Sequence, residues 1–179
     1  MDDKRGRFEA LVLPHLDAAY GFARWLCRSG PEAEDIVQEA FLRAYRGFEG
    51  LRGTQVKAWL LAIVRNCHAT AARQRQRHAA VPLPAEDEAA GDCALAVEAD
   101  PESVSAAADE RRTLERLIAA LAPEHREVLL LRELEELSYR DIAAVTGVPI
   151  GTVMSRLARA RAALRSSWQQ DRGEPRAVR

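Results

Sequence analysis

Residues 138–161, SYRDIAAVTGVPIGTVMSRLARAR, constrain this chain more than any other stretch, because their spacing calls for two short helices joined at a glycine corner. Ser138 with Asp141 three residues on is an N-cap signature, in which a hydroxyl can accept from a free backbone N–H at the start of a helix. Ile142 and Val145 then supply the buried side of a two-turn helix that has to stop near Thr146. Gly147 can take the positive φ of a sharp turn, and Pro149 presets φ for the first turn of the next helix. Val148 between them can anchor the corner in the core. Val153, Leu157 and Leu164 continue at helical spacing on one side, while Arg156, Arg159, Arg161 and Arg165 spread over the rest. The pattern predicts a helix-turn-helix, whose second helix offers its N-terminal residues to base edges. An ordinary helical hairpin with a solvated basic face fits the same residues, so the rest of the chain has to decide.

Charge argues against unaided DNA binding. The 179 residues carry a formal net charge of −1, whereas a free-standing DNA binder is expected to be basic. The charge is also unevenly placed. Between Ala79 and Glu110 there is no Lys or Arg, yet Glu86, Asp87, Glu88, Asp92, Glu98, Asp100, Glu102, Asp109 and Glu110 all fall there. With Val81-Pro82-Leu83-Pro84 at its head and no aromatic residue, this tract reads as a flexible acidic linker. Arginine-rich segments flank it. Near-neutrality suggests that another molecule brings this one to DNA.

Before the linker the apolar spacing is helical throughout. Phe8, Leu11, Val12, Leu16, Tyr20 and Trp25 mark a first helical segment, which Pro14 should kink or divide. After Gly30-Pro31, the residues Ile36, Val37, Ala40, Phe41, Ala44 and Tyr45 form one continuous stripe, with Glu34, Asp35, Gln38, Glu39, Leu42 and Arg43 on the other side. Solubility does not explain Leu42 among those charges; a protein contact would. Gly47 to Thr54 reads as a glycine-bearing loop, followed by a long helix from about Gln55 to Gln76. Trp59, Leu60, Ile63, Val64 and Cys67 face inward there, and Arg65, Asn66, Arg73 and Arg77 can project outward. After the linker, Leu114, Leu117, Ile118 and Leu121 mark another helix. Pro123 opens a fresh one carrying Val128, Leu129, Leu131 and Leu134. The expected fold is all-α: two small helical domains joined by a flexible acidic linker, the second containing the helix-turn-helix.

Cys27, Cys67 and Cys93 are odd in number and never in a C-x-x-C pair, so neither a disulfide framework nor a zinc knuckle is supported; no metal site and no cofactor is expected. A Cys67-His68 enzyme is disfavoured because neighbours on a helix point about 100° apart, and no acidic partner or oxyanion loop accompanies them in sequence. No catalytic residue is assigned. No charged start leads into an apolar signal core, and no apolar run approaches a membrane span of roughly 20 residues. A cytoplasmic protein without a membrane partner is expected.

Two motifs in the first half, AEDIVQEAFLRAYR and AWLLAIVRN, resemble region 2 of bacterial sigma factors of the extracytoplasmic-function (ECF) group. The segment from Leu121 to Arg161 resembles their region 4. The resemblance runs from about Phe8 to Arg165 and implies region 2 over 1–80, the linker over 81–108, region 4 over 109–170 and a disordered tail over 171–179. It implies no enzyme but a subunit that gives core RNA polymerase its promoter specificity. Core polymerase and promoter DNA would be its partners, together with an anti-sigma factor of the kind common in the family. By the same resemblance Asp35, Gln38, Glu39, Leu42 and Arg43 would dock on polymerase. Trp59, Arg65, Asn66 and Arg73 would engage the minus-ten element, where a base leaves the stack and arginines follow the single strand. Trp59 has a second reading as plain core, since its spacing with Ile63 is that of a buried face. Arg132, Gly151, Thr152, Met154, Ser155 and Arg159 would face the minus-35 element, with Arg156, Arg161 and Arg165 as phosphate clamps. The specific base contacts of relatives do not carry over at Met154 and Ala158, where some of them have longer polar or aromatic side chains. The resemblance leads the acidic strap through polymerase toward its active-site cleft and RNA exit path; as a tract by itself it could equally be solvated. A stand-alone helix-turn-helix regulator is the alternative, but such proteins normally carry an α/β domain, and the first half shows no strand alternation.

Overall fold

The computed structural model describes residues 2–27, 29–51, 55–79 and 106–172. The linker as read from the sequence lies almost wholly outside them, as does the tail beyond Arg172. Four helices make the first unit: α1 (Asp2–Val12), α2 (Leu16–Leu26), α3 (Gly30–Gly47) and α4 (Val56–Ala79), with 3-10 turns at Leu13–His15 and Phe48–Gly50. Four more make the second: α5 (Ala106–Ala119), α6 (Pro123–Glu133), α7 (Tyr139–Thr146) and α8 (Ile150–Asp171). No strand occurs among the described residues.

Local chemistry sets the boundaries. Pro14 ends the α1 ladder, because its ring supplies no N–H, and the short turn redirects the chain into α2. Ser29 accepts the Glu32 N–H at 3.4 Å and Pro31 occupies the first turn of α3. The first core gathers Phe22, Leu60, Leu61 and Val64, all fully buried; each such side chain contributes roughly 1.5–3 kcal/mol. Ala33, Ala40 and Ala44, at 0% exposure, let α3 lie close against its neighbours. Phe8 fastens α1 over this layer, its ring meeting Phe41, Tyr45 and Phe48 edge-on at 6.4, 5.1 and 5.4 Å.

The helical spacing of the first segment is only partly a core pattern. Phe8, Val12 and Trp25 are buried as the periodicity predicts, but Leu11, Leu16 and Tyr20 are 45%, 43% and 37% exposed. The break at Pro14 resets the helical phase, so residues that share one face of a continuous helix do not share one here. Tyr45 at the end of the α3 stripe, Leu114 and Leu134 are likewise exposed, against expectation.

The helix-turn-helix forms as its residues dictate. Ser138 Oγ accepts the Asp141 N–H at 3.1 Å and donates to the Asp141 carboxylate at 2.6 Å. Ile142 and Val145 are buried, α7 stops at Thr146, and Gly147 turns the corner at φ 71°. Pro149 is the N-cap of α8 (φ −59°, ψ 149°), one residue earlier than the first-turn position the sequence suggests. Just before α7, Glu136 sits at φ 56°, a left-handed conformation that costs a side-chain-bearing residue about 1–2 kcal/mol. Glycine would relieve this while adding about 0.5–1 kcal/mol of unfolded-chain freedom. Glu136→Gly is therefore expected to stabilise the fold by up to about 1 kcal/mol, read as a higher urea midpoint; a lower midpoint would show that the Glu136 side chain contributes more than its backbone costs.

The two units are not merely tethered. Val128, Leu131, Leu137, Ile142, Val145, Val153 and Leu157 belong to the same continuous buried cluster as Leu60, Val64 and Phe22, with α7 packed along α4. Among the described residues, two charged pairs cross the junction. Lys57 Nζ lies 2.7 Å from the Glu135 carboxylate and donates to the Glu135 carbonyl at 3.0 Å. Arg65 Nε donates to Glu127 Oε1 at 2.5 Å, where the Glu127 side chain is only 10% exposed. A smaller cluster of Leu121, Leu129 and Ala160, with Ile118 and Leu164, holds α5 on α8; pairs between Arg116 and Asp171 and between Arg172 and Glu110 join their ends.

Candidate nucleic-acid and polymerase interfaces

On α8 the buried and exposed rows separate cleanly. Val153, Leu157 and Ala160 face the core, and Gly151, Met154, Ser155, Ala158 and Arg159 form an exposed row at i, i+3, i+4, i+7 and i+8. Thr152 and Arg156 flank it, half-buried. Small residues at Gly151 and Ala158 leave the row low, and Arg159 stands exposed with no ion pair to a described residue. A row of this kind at the N-terminal half of a recognition helix can enter a major groove. Arg161 differs from its neighbours: its guanidinium bonds Glu133 on α6 at 2.6 and 3.1 Å, which raises its pKa and engages it within the protein.

Arg132 is committed in the same way. Its Nη1 donates to the Leu137 carbonyl at 2.8 Å, and the guanidinium lies 5.2 Å from the centroid of the Tyr139 ring. It therefore braces the turn into α7, a role its sequence position gave no sign of, since the acceptor is a carbonyl created by the turn itself.

The α3 face carries the other predicted group. Asp35, Gln38, Leu42 and Arg43 are exposed, and Glu39 is half-buried with its carboxylate 2.6 Å from Arg43 Nε. Leu42 is 49% exposed, as its place among charges suggested. Beside Asp35 and Gln38 runs a groove of about 470 Å³, to which α2 contributes Leu16 and Tyr20. Sequence reasoning missed these two by assigning them to the core. With Val37 and Phe41 in the same groove they make an apolar strip edged by Glu34 and Asp35, a composition suited to a protein partner.

On α4 the predicted residues scatter. Trp59 is half-buried and packs on the core, Asn66 is exposed, and Arg73 is exposed with its Nε donating to the Ala69 carbonyl at 3.0 Å. Arg65, expected to project freely, is bound to Glu127 of the second unit. Of the glycine-bearing loop before α4, residues 52–54 lie outside the described set. Cys67 and His68 diverge as the helical rotation requires. The acids absent from their sequence neighbourhood exist in three dimensions, both on α3, with Glu39 near Cys67 and Glu32 near His68.

Described residues that are all helical, with an exposed apolar strip on one unit and a helix-turn-helix on the other, have the make-up of a promoter-recognition subunit. The comparisons agree. The family model described as Sigma-70 region 2 matches residues 11–78, and that for Sigma-70, region 4 matches residues 111–164. The RNA polymerase sigma-H factor of Pseudomonas aeruginosa is 36% identical over 171 residues, 93% of this chain and 88% of that protein. The ECF RNA polymerase sigma-E factor of Escherichia coli is 36% identical over 143 residues, 77% and 74% of the two chains. Among solved structures, the sigma factor RpoE in complex with the anti-sigma factor NepR from Bartonella quintana shares the fold with a TM-score of 0.72 at 27% identity, over 91% of this chain and 97% of that one.

The chain belongs to the sigma-70 family, as an RNA polymerase sigma factor of the ECF type. Its partners are core RNA polymerase and promoter DNA, it performs no chemistry of its own, and the stand-alone regulator is not favoured. Among the described residues no helix is long and apolar enough to cross a membrane.

Proposed function

We propose that the exposed row of α8 reads the minus-35 element, and that Arg159 and Ser155 are its main base contacts. The observation that carries this is the division of α8 into a buried row and a low, exposed row directly after the Gly147 corner. Thr152, Met154 and Gly151 shape the fit, Arg156 and Arg165 meet phosphates, and Arg132 acts by bracing α7. Arg161 can join the clamps only by giving up Glu133. Asp35, Gln38, Glu39, Leu42 and Arg43 dock on core polymerase, extended by Leu16 and Tyr20. Trp59, Asn66, Arg65 and Arg73 serve the minus-ten element. In domain terms, region 2 occupies 1–80, the linker 81–108, region 4 109–170 and the tail 171–179, in a cytoplasmic protein.

The docking face has a direct test. Asp35→Ala with Gln38→Ala is expected to leave helicity and unfolding midpoint nearly unchanged, because exposed changes usually cost less than about 0.5 kcal/mol, yet to weaken pull-down of core polymerase at least about tenfold. Unchanged pull-down would move the docking surface elsewhere.

The packed arrangement of the two units is, in this reading, a closed form. Arg65 cannot hold Glu127 and follow a DNA strand at once, so region 4 has to lift from α4 before the minus-ten surface is complete. The linker then keeps both halves at high effective concentration. An anti-sigma protein, of the kind bound to the Bartonella relative, would act here by favouring the closed form; its own sequence leaves no mark on this chain.

A further inference from the structure

One cluster belongs to neither the DNA-facing nor the polymerase-facing surfaces. Cys27 closes α2, Glu32 lies in the first turn of α3 and His68 is midway along α4. Their sulfur, a carboxylate oxygen and an imidazole nitrogen all lie within 4.8 Å of one another. The spacing of the cysteines in sequence hid this, because the three ligands come from three helices and only one of them is a thiol.

Each member suits a borderline-soft dication. Cys27 is buried just ahead of the α3 N-terminus and supplies the one sulfur of the cluster. His68 is half-buried on α4 and offers an imidazole nitrogen, a common ligand for such an ion. Glu32 already serves a cation, since Arg75 donates to its carboxylate. Arg65, Arg75 and Arg126 all press positive charge on His68, with Glu32 opposing them. A tetrahedral zinc site, with bonds of about 2.0–2.3 Å, holds its ligand atoms roughly 3.3–3.6 Å apart. Side-chain shifts of about 1 Å close the cluster to that size. Magnesium and calcium, which take oxygen ligands, do not match one sulfur, one nitrogen and one carboxylate.

We propose that Cys27, Glu32 and His68 form a binding site for a single zinc-type divalent cation, with water as fourth ligand. Binding replaces Arg75 as the partner of Glu32 and ties the α2–α3 junction to α4. It also places a dication beside the α4 surface that region 4 covers, on the side where Arg126 of α6 already bears on His68.

The test uses the full metal-free chain with cobalt(II) as the probe, followed by zinc(II). Cobalt is expected to give a thiolate-to-metal charge-transfer band that saturates at one equivalent and disappears when zinc is added. The band persists in Cys67→Ser/Cys93→Ser and is lost in Cys27→Ser. His68→Gln, which changes a half-buried residue, keeps a weakened band with affinity at least about tenfold lower, and decides the matter should Cys27→Ser fail to fold. No band at one equivalent, a band that survives Cys27→Ser, or unchanged affinity in folded His68→Gln would overturn the site.

Discussion

Arg159→Ala is expected to relax base preference at one or two minus-35 base pairs, while Arg165→Ala weakens every promoter alike. The difference follows from position. Arg159 ends the exposed row that starts at Gly151, and it is held by no described acid, so its fork is available for a bidentate base contact worth about 1–3 kcal/mol of discrimination. That corresponds to roughly 5- to 150-fold in relative promoter strength. Arg165 is also exposed but lies further toward the C-terminal half of α8, beyond the residues that enter a groove in this motif. Its loss should remove one phosphate contact and lower the salt slope by about one. Transcription from a randomised minus-35 library at two salt concentrations separates the two. Equal shifts across all sequences with both variants would make Arg159 another clamp and send the search for reading residues to Thr152, Met154 and Ser155.

The second large effect concerns closure. Glu127→Gln leaves the shape of α6 but removes the charge that holds Arg65, in a place where the carboxylate is nearly buried and the arginine about one-third exposed. The partial exposure screens the pair, so the loss is put at about 1–2 kcal/mol, below the cost of breaking a fully buried one. The closed-to-open ratio then falls roughly 5- to 30-fold. Small-angle scattering should show a larger radius of gyration, and core polymerase should bind more tightly. The reciprocal change, Arg65→Ala, opens the molecule as well but damages minus-ten use, so the two variants part company in transcription. A compact Glu127→Gln protein with unaltered polymerase affinity would mean that closure does not limit activity.

Arg65 also shows how far the sequence is legible. The corner at Gly147, the Ser138 cap, the division at Pro14, the inward face of α3 as far as Ala44 and that of α8 could all be read from it, because each depends on residues a few positions apart. Arg65 could not, since its partner lies 62 positions away in the other unit. Leu16 and Tyr20 were misread because a proline break shifts helical phase by an amount the sequence does not state. The shared core joining α4 to α7 was invisible for a related reason: the apolar residues of α7 fit an independent bundle equally well, and only the packing shows that they also complete the first unit. The Cys27, Glu32 and His68 cluster is the same lesson in chemical form.

The central claim is that this chain gives core RNA polymerase a promoter, which run-off transcription with purified core enzyme tests most directly. With a template carrying a responsive promoter, a discrete transcript is predicted only when core and chain are both present, and the chain alone binds the same duplex weakly, as its net charge of −1 implies. Tight, sequence-specific binding by the isolated chain with no stimulation of polymerase would contradict it.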